Sequence, residues 1–228
     1  MRTAIAALCA LVLLVAHVGT AQAIIYKSPG PNYKQGQVGA GVIYDSTKRK
    51  VTSDALPAGT SSVDLKYTAF MGSFGFGLGE AGVLEVHAGQ ISGKIEQEDT
   101  ASGTIFGAGL RYTVADTGKV RHGFLAAFHS GSVSNDTSST DVSQTDLGYG
   151  AAFAFGDKGA MYAGGVFSSL NGTLSLEVPP YYSYDFEGDA SVGFFGGVEF
   201  AASPTLVIGA EIHALHDSSF GFYVDGKF

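Results

Sequence analysis

The sequence has no tryptophan, a single cysteine and only 6 prolines among its 228 residues. Charge is scarce too: 15% of residues are Asp, Glu, Lys or Arg, against roughly 25% in an average soluble domain. The formal net charge of −8 excludes a nucleic-acid partner, because phosphates are held by clustered Lys and Arg. Cys9 lies near the amino terminus and no other cysteine follows, so a disulfide framework is excluded. Beyond the first two dozen residues no apolar run approaches roughly 18 residues, which excludes a later transmembrane helix. What is abundant is glycine, at 33 residues, with 16 Phe and 11 Tyr in a chain that is 45% hydrophobic. That content excludes disorder, and the glycines lack the three-residue period of collagen.

The amino terminus reads as an export signal. Arg2 supplies a positive start, and Ala4 to Ala16 form an apolar stretch with Leu8, Leu11, Leu13 and Leu14. Gly19 and Thr20 then lead into Ala21-Gln22-Ala23, a small-x-small cleavage signature. Leu8 stands before Cys9 where a lipoprotein would need a small residue, so Cys9 is expected to leave with residues 1–23. The mature chain would begin at Ile24, and 24–35, with Pro29, Gly30 and Pro31, reads as a short periplasmic lead-in. An exported chain without disulfides must be held by its own core or by a membrane. Without helices to span, only a closed barrel could cross.

From residue 36 to 228 the pattern has period two. Leu147, Tyr149, Ala151, Phe153 and Phe155 alternate with Gly148, Gly150, Ala152 and Ala154. The same holds for Phe106, Ala108, Leu110, Tyr112 and Val114, for Val192 to Phe200, and for Leu206 to Ile212. Ten such runs are predicted, at 37–46, 61–73, 83–95, 103–115, 122–133, 145–156, 160–173, 189–201, 205–216 and 219–228. Each lasts about ten residues, the length of a tilted membrane-crossing strand. In 61–73 the phase slips, since Val63, Leu65, Tyr67 and Ala69 fall out of step with Phe74 and Phe76. A bulge or a misplaced boundary would explain it. The first run is short, so eight strands stay open beside ten.

Tight turns are expected at 79–82, 116–118, 156–159 and 203–204. Longer polar segments lie at 46–60, 134–144 and 176–188, with 96–102 intermediate and 216–218 tight. Short turns at one end and longer loops at the other suit an antiparallel up-and-down transmembrane β-barrel with its short side in the periplasm. Phe76, Tyr112, Phe124, Phe155, Tyr162, Phe200 and Phe228 fall beside the short turns or the carboxyl terminus, as an interfacial girdle would.

The last run ends in Phe228, with Phe220, Phe222 and Val224 at alternate positions before it. It resembles the closing signature of bacterial outer-membrane proteins, with Gly226 departing from the apolar alternation. The mature chain resembles the small single-domain barrels of the OmpA and OmpX type, without their peptidoglycan-binding domain or their usual tryptophan. The resemblance implies a monomer of the cell outer membrane. It also implies delivery by periplasmic chaperones, recognition of Phe220, Phe222, Val224 and Phe228 by the barrel-assembly machinery, and lipid and lipopolysaccharide as surroundings.

If the apolar set faces lipid, the other set lines the interior: Asp64, Lys66, Glu85, His87, Arg111, Asp146, Glu199, Glu211, His213, Tyr223, Asp225 and Lys227. A charge facing lipid near the midplane would cost about 2–4 kcal/mol. Glu85 and Arg111 sit at similar height on neighbouring runs and are expected to pair. Two readings follow. A polar network could close the narrow interior, leaving a structural or surface-interaction role. Alternatively, the many inward Gly and Ala could leave room for a channel, which the surplus of carboxylates would make cation-preferring.

Glu85-x-His87 and Glu211-x-His213 each put a carboxylate and an imidazole on one face, but no third ligand stands at a recognisable spacing. No metal or other cofactor is expected. Nor is catalysis. His216-Asp217-Ser218 resembles the first part of a lipid A deacylase motif but no Glu follows it, and an omptin-like set at His216 and Asp217 is incomplete. His129 and Ser130 point to opposite faces, which spoils a base–nucleophile contact. Tyr181, Tyr182, Tyr184 and Phe186 read as an exposed aromatic loop segment. Lys48, Arg49 and Lys50 read as a basic cluster on the first long loop, suited to lipopolysaccharide phosphates.

Overall fold

A computed structural model describes residues 25–29, 35–51, 63–95, 100–176, 183–214 and 217–228. Residues 1–23, Tyr181, Tyr182 and His216 lie outside them. The described residues form ten strands and no helix: β1 Val38–Val51, β2 Val63–Leu78, β3 Gly82–Ile95, β4 Ala101–Asp116, β5 Val120–Ser134, β6 Ser138–Phe155, β7 Gly159–Leu176, β8 Ser183–Ser203, β9 Leu206–Ala214 and β10 Asp217–Lys227. Each pairs antiparallel with its neighbours, and β1 closes onto β10 from Gly39↔Lys227 to Arg49↔Asp217. The chain is a ten-stranded up-and-down barrel, which removes eight as an alternative and leaves no open sheet edge.

Alternation fixes which face is which. Phe70, Phe74, Leu84, Val86, Phe106, Leu110, Phe128, Leu147, Phe167, Phe194 and Phe222 all point outward and are 41–58% exposed. So broad an apolar outer wall is covered by lipid, since a water-facing barrel would place polar side chains there. Beside the short turns, Phe76, Tyr112, Phe124, Phe155, Phe200 and Phe228 are exposed as expected. Tyr162 is not one of them: it points inward and is 3% exposed. Three of those turns carry a glycine in the left-handed region, at Gly79, Gly118 and Gly156. In one of them, the Gly118 N–H and then the Arg121 guanidinium bond the Asp116 carboxylate and hold its pKa below the usual range.

Three boundaries differ from the sequence expectation. β1 continues to Val51, so Arg49 is a strand residue turned inward while Lys48 and Lys50 face out. β6 begins at Ser138 inside the polar stretch 134–144, and β8 begins at Ser183 inside 176–188. These segments carry Ser, Thr and Asp because the barrel wall extends beyond the apolar band, where a polar outer face is solvated. The phase slip in 61–73 has no bulge behind it, because β1 and β2 stay in register from Val38↔Phe76 to Val51↔Val63. Leu65, Tyr67, Ala69 and Met71 point inward, and Phe70, Phe74 and Phe76 outward. Apolar side chains change sides as the strand passes from lipid contact to interior packing. Real irregularities occur opposite Thr113/Ala115, Ser168/Leu170 and Ala201/Ser203. The second reverses the inward face of β8, so that Phe195 below it and Phe186 above it both point inside.

Leu110→Arg, placed in the lipid-facing band, is expected to lower stability by about 2–4 kcal/mol. Asn171→Arg, outward on the projecting part of β7, should stay within about 0.5 kcal/mol of the parent. The folded fraction of each, read from the gel shift of unboiled samples across a urea series, checks the difference.

Candidate functional site

Residues 25–29, read from sequence as a periplasmic lead-in, lie inside the barrel and are buried throughout. Lys27 is fully buried and adopts a left-handed backbone, φ 61°. Such a conformation costs a non-glycine residue of order 1 kcal/mol or more, so its surroundings must fix it. They do so through one carboxylate: the consecutive amides of Tyr26 and Lys27 donate to Glu211 Oε1 and Oε2 at 2.7 and 2.9 Å. Two adjacent N–H groups converging on an anion form a small backbone nest.

The side chain completes the attachment. Lys27 Nζ lies 2.9 Å from Glu85 Oε1 on β3 and 2.9 Å from Asp225 Oδ1 on β10. Arg111 on β4 donates Nε to Glu85 Oε2 at 3.3 Å and Nη1 to the Ser28 carbonyl at 2.8 Å. Tyr223 presents its ring to Lys27 Nζ, 5.4 Å from the centroid, and donates its hydroxyl to Glu199 at 3.1 Å. Burying one such ion alone would cost several kcal/mol. Here each charge meets an opposite one, and the segment is tied to strands on both sides of the β1–β10 seam.

Glycines make the room. A Cβ on Gly221 would come within 2.4 Å of Ile25 Cδ1, and one on Gly41 within 2.2 Å of Asp225 Oδ1. Gly209 and Gly197 admit the rings of Tyr223 and Tyr162 in the same way. Interior glycine, read from sequence as space for a channel, is therefore occupied at these positions by neighbouring side chains. Ile25 joins an apolar interior cluster with Ile43, Leu65, Tyr67, Met71 and Leu170. Tyr26 packs edge-on against Phe195, with 5.2 Å between centroids, and beside His213.

Further polar contacts adjoin this network inside the barrel. His87 Nδ1 and His129 Nε2 are 2.8 Å apart with rings stacked at 3°. Gly107 stands between them in the register, where a Cβ would reach 2.1 Å from His129. Gln144 Nε2 donates to Asp146, and His213 Nε2 meets Glu211 Oε1. Among the described residues no group of three or more His, Cys, Asp or Glu could hold a metal.

Of the residues assigned to the interior from sequence, Glu85, His87, Arg111, Asp146, Glu211, His213, Tyr223 and Asp225 are buried there, and Glu199 is half-buried against Tyr223. The Glu85–Arg111 pair is present. Asp64 and Lys66 depart: with Leu65 and Tyr67 inward, both face out, and Asp64 pairs with Lys48 on β1. They stand above the lipid-facing band, where an outward charge meets water or headgroups and the midplane cost does not apply. Phe186, expected in an exposed loop, is 5% exposed inside the barrel, and Tyr184 is half-buried. Lys27, Asp45, Arg49 and His129 were missed as interior residues. For β1 the alternation Ile43, Asp45, Thr47, Arg49 held the signal, had the strand been carried past residue 46. Lys27 has no periodic neighbours that could have placed it.

No protein-family profile and no curated protein matches the sequence. Solved structures do match. The outer membrane protease OmpT from Escherichia coli is 9% identical, with 91% of this chain and 99% of that one covered and a TM-score of 0.50. OprG from Pseudomonas aeruginosa is 10% identical with coverages of 86% and 97% and a TM-score of 0.43. Ail of Yersinia pestis is 12% identical with coverages of 85% and 97% and a TM-score of 0.39. The chain has the fold of outer-membrane β-barrels.

Lys27→Met should leave Asp225 without a cation in the interior and Glu85 with Arg111 alone, and cost about 3–5 kcal/mol. Adding Asp225→Asn should recover part of that loss, because fewer buried charges then lack a partner. Urea unfolding of the single and double variants, followed by gel shift, measures both.

Proposed function

We propose that this chain is an integral protein of the bacterial outer membrane whose lumen is closed by residues 25–29 and the polar network around them. Its role on this reading is structural or surface-interacting, and not catalytic. The observation that carries it is the complete burial of Lys27 between Glu85 and Asp225, with Glu211 and Arg111 holding the backbone on either side. A segment seated by charge-assisted bonds inside the bore supports a closed lumen. The short turns face the periplasm. Phe228, whose N–H bonds the Val38 carbonyl at 2.9 Å, closes the seam and belongs to the signal read by the barrel-assembly machinery and its chaperones. The barrel works as a monomer, since closure satisfies every strand edge.

The outer rim supports contact with lipopolysaccharide. Lys48 opposes Lys66 across β1–β2. Like charges directly opposite one another destabilise a sheet, and Asp64 pairs with Lys48 there. Phosphates of lipopolysaccharide at that height would relieve the repulsion.

Cation passage is the second reading, favoured by the interior surplus of carboxylates once the segment is withdrawn. Planar-bilayer conductance of the refolded mature chain separates the two. The intact chain is expected to be silent while showing the gel shift of a folded barrel. Deleting residues 24–29 should give reproducible steps with cation preference. Conductance of the intact chain at the same level as the deletion would overturn closure by this segment.

A further inference from the structure

The His87–His129 pair takes no part in seating residues 25–29. Both side chains are buried, and His87 Nδ1 lies 2.8 Å from His129 Nε2. Their ring planes agree to 3° with centroids 5.1 Å apart, the separation this contact gives when two imidazoles lie end to end in one plane. The N–H of one ring therefore points straight at the lone pair of the other. The two residues come from strands that do not adjoin. Gly107 on β4 stands between them in the register, and a Cβ there would collide with His129.

Each ring has a second nitrogen, and neither His87 Nε2 nor His129 Nδ1 has a hydrogen-bond partner among the described residues. Gln144 opposes His129 across β5–β6. Its Nε2 donates to Asp146 and Ser168, and its buried Oε1 is unpartnered among the described residues. Buried polar atoms are rarely left so. A neutral pair carries two N–H groups, one in the bridge and one on an outer nitrogen. One added proton puts an N–H on both outer nitrogens, and Gln144 Oε1 on the adjoining strand is an acceptor without a donor. A second added proton would set N–H against N–H in the bridge. The pair has room for one.

We propose that the His87–His129 pair is an acid-sensing latch: one proton taken up from solution by the pair loosens Lys27 from Glu85 and Asp225. The inference rests on closure of the lumen by residues 25–29. The charged groups acting on His87 are Glu85 on its own strand, Arg111 on β4, Asp225 on β10 and Lys27 of the segment. His129 is acted on by His87 and has the neutral Gln144 beside it, with Asp146 beyond. The two carboxylates and two cations around His87 already cancel. A proton on the pair is therefore new positive charge, which repels Lys27 and competes with it for the same carboxylates. Binding of the proton and seating of Lys27 oppose each other, and by linkage each weakens the other equally. The latch is closed in mild alkali, where imidazole is neutral, and loosens as the pH falls.

The test places a thiol on the segment. Ser28 is fully buried and only its carbonyl holds Arg111, so Ser28→Cys keeps that bond. The chain from Ile24 onward has no other cysteine. The folded variant in detergent is treated with a dipyridyl disulfide, and its rate is divided by that of the urea-unfolded chain at the same pH. Protection is expected to fall about tenfold, the size of an ordinary coupling between sites, from about pH 8 to about pH 5. That range lies above the ordinary titration of carboxylates, near pH 4. With His87→Gln added, protection should stay within about twofold over the same range. Equal protection of Ser28→Cys at both pH values, or an equal fall in the His87→Gln background, would overturn the latch and leave closure standing. A thiol as reactive folded as unfolded at the higher pH would reject closure itself, and the latch with it. If His87→Gln does not fold, nitrogen NMR of the histidine-labelled parent chain takes its place. Uptake of one proton by the pair over the range in which protection falls supports the latch, and no uptake there overturns it.

Discussion

Charge balance inside a narrow, lipid-surrounded wall is the constraint on which the rest of this structure depends. The strands bring Glu85, Glu211 and Asp225 to the interior, and a barrel of this width has little water with which to solvate them. Arg111 alone cannot neutralise all three. The missing cation comes from outside the wall, as Lys27, carried in by a segment whose backbone is bent into the left-handed region to deliver it. The strain, the burial of a lysine and the glycines opposite are all consequences of that one requirement.

The wall is built to receive the segment. Gly221 and Gly41 are small where Ile25 and Asp225 need space, and Gly209 and Gly197 where the Tyr223 and Tyr162 rings lie. The change in the inward face of β8 brings Phe186 as well as Phe195 to the inside, so two aromatic rings come from a strand that would otherwise supply one. The bore is thus filled by different means along its length, with ion pairs around Lys27 and apolar packing around Ile43, Leu65 and Met71.

The strand count, the antiparallel closure, the lipid-facing set and most interior charges were legible in the sequence, because period-two alternation is imposed by lipid on one side and is strongest where lipid is present. Above the lipid that pressure lapses. Lys48, Arg49 and Lys50 looked like a loop although Arg49 alternates inward with Thr47 and Asp45, and Asp64 and Lys66 were given the wrong face because charge was equated with the interior. The inserted segment was illegible for another reason. Lys27 contacts residues 58 and 198 positions away, and no local pattern encodes so distant a pairing. Interior glycines were seen as vacancies when only the fold could tell that other side chains claim the space.

The sequence separation of those contacts sets an order of events. The segment precedes β1, yet its acceptors Glu211 and Asp225 lie on β9 and β10, 185 and 198 residues later. Nothing can hold the segment in its final place until the last two strands have been made and the β1–β10 seam has met. Until then Glu85 has Arg111 but not Lys27, and the half-built wall carries an uncompensated negative interior. The amino-terminal residues, first to be synthesised, are in this barrel the last to arrive, and their arrival is a chemical record that the wall has closed.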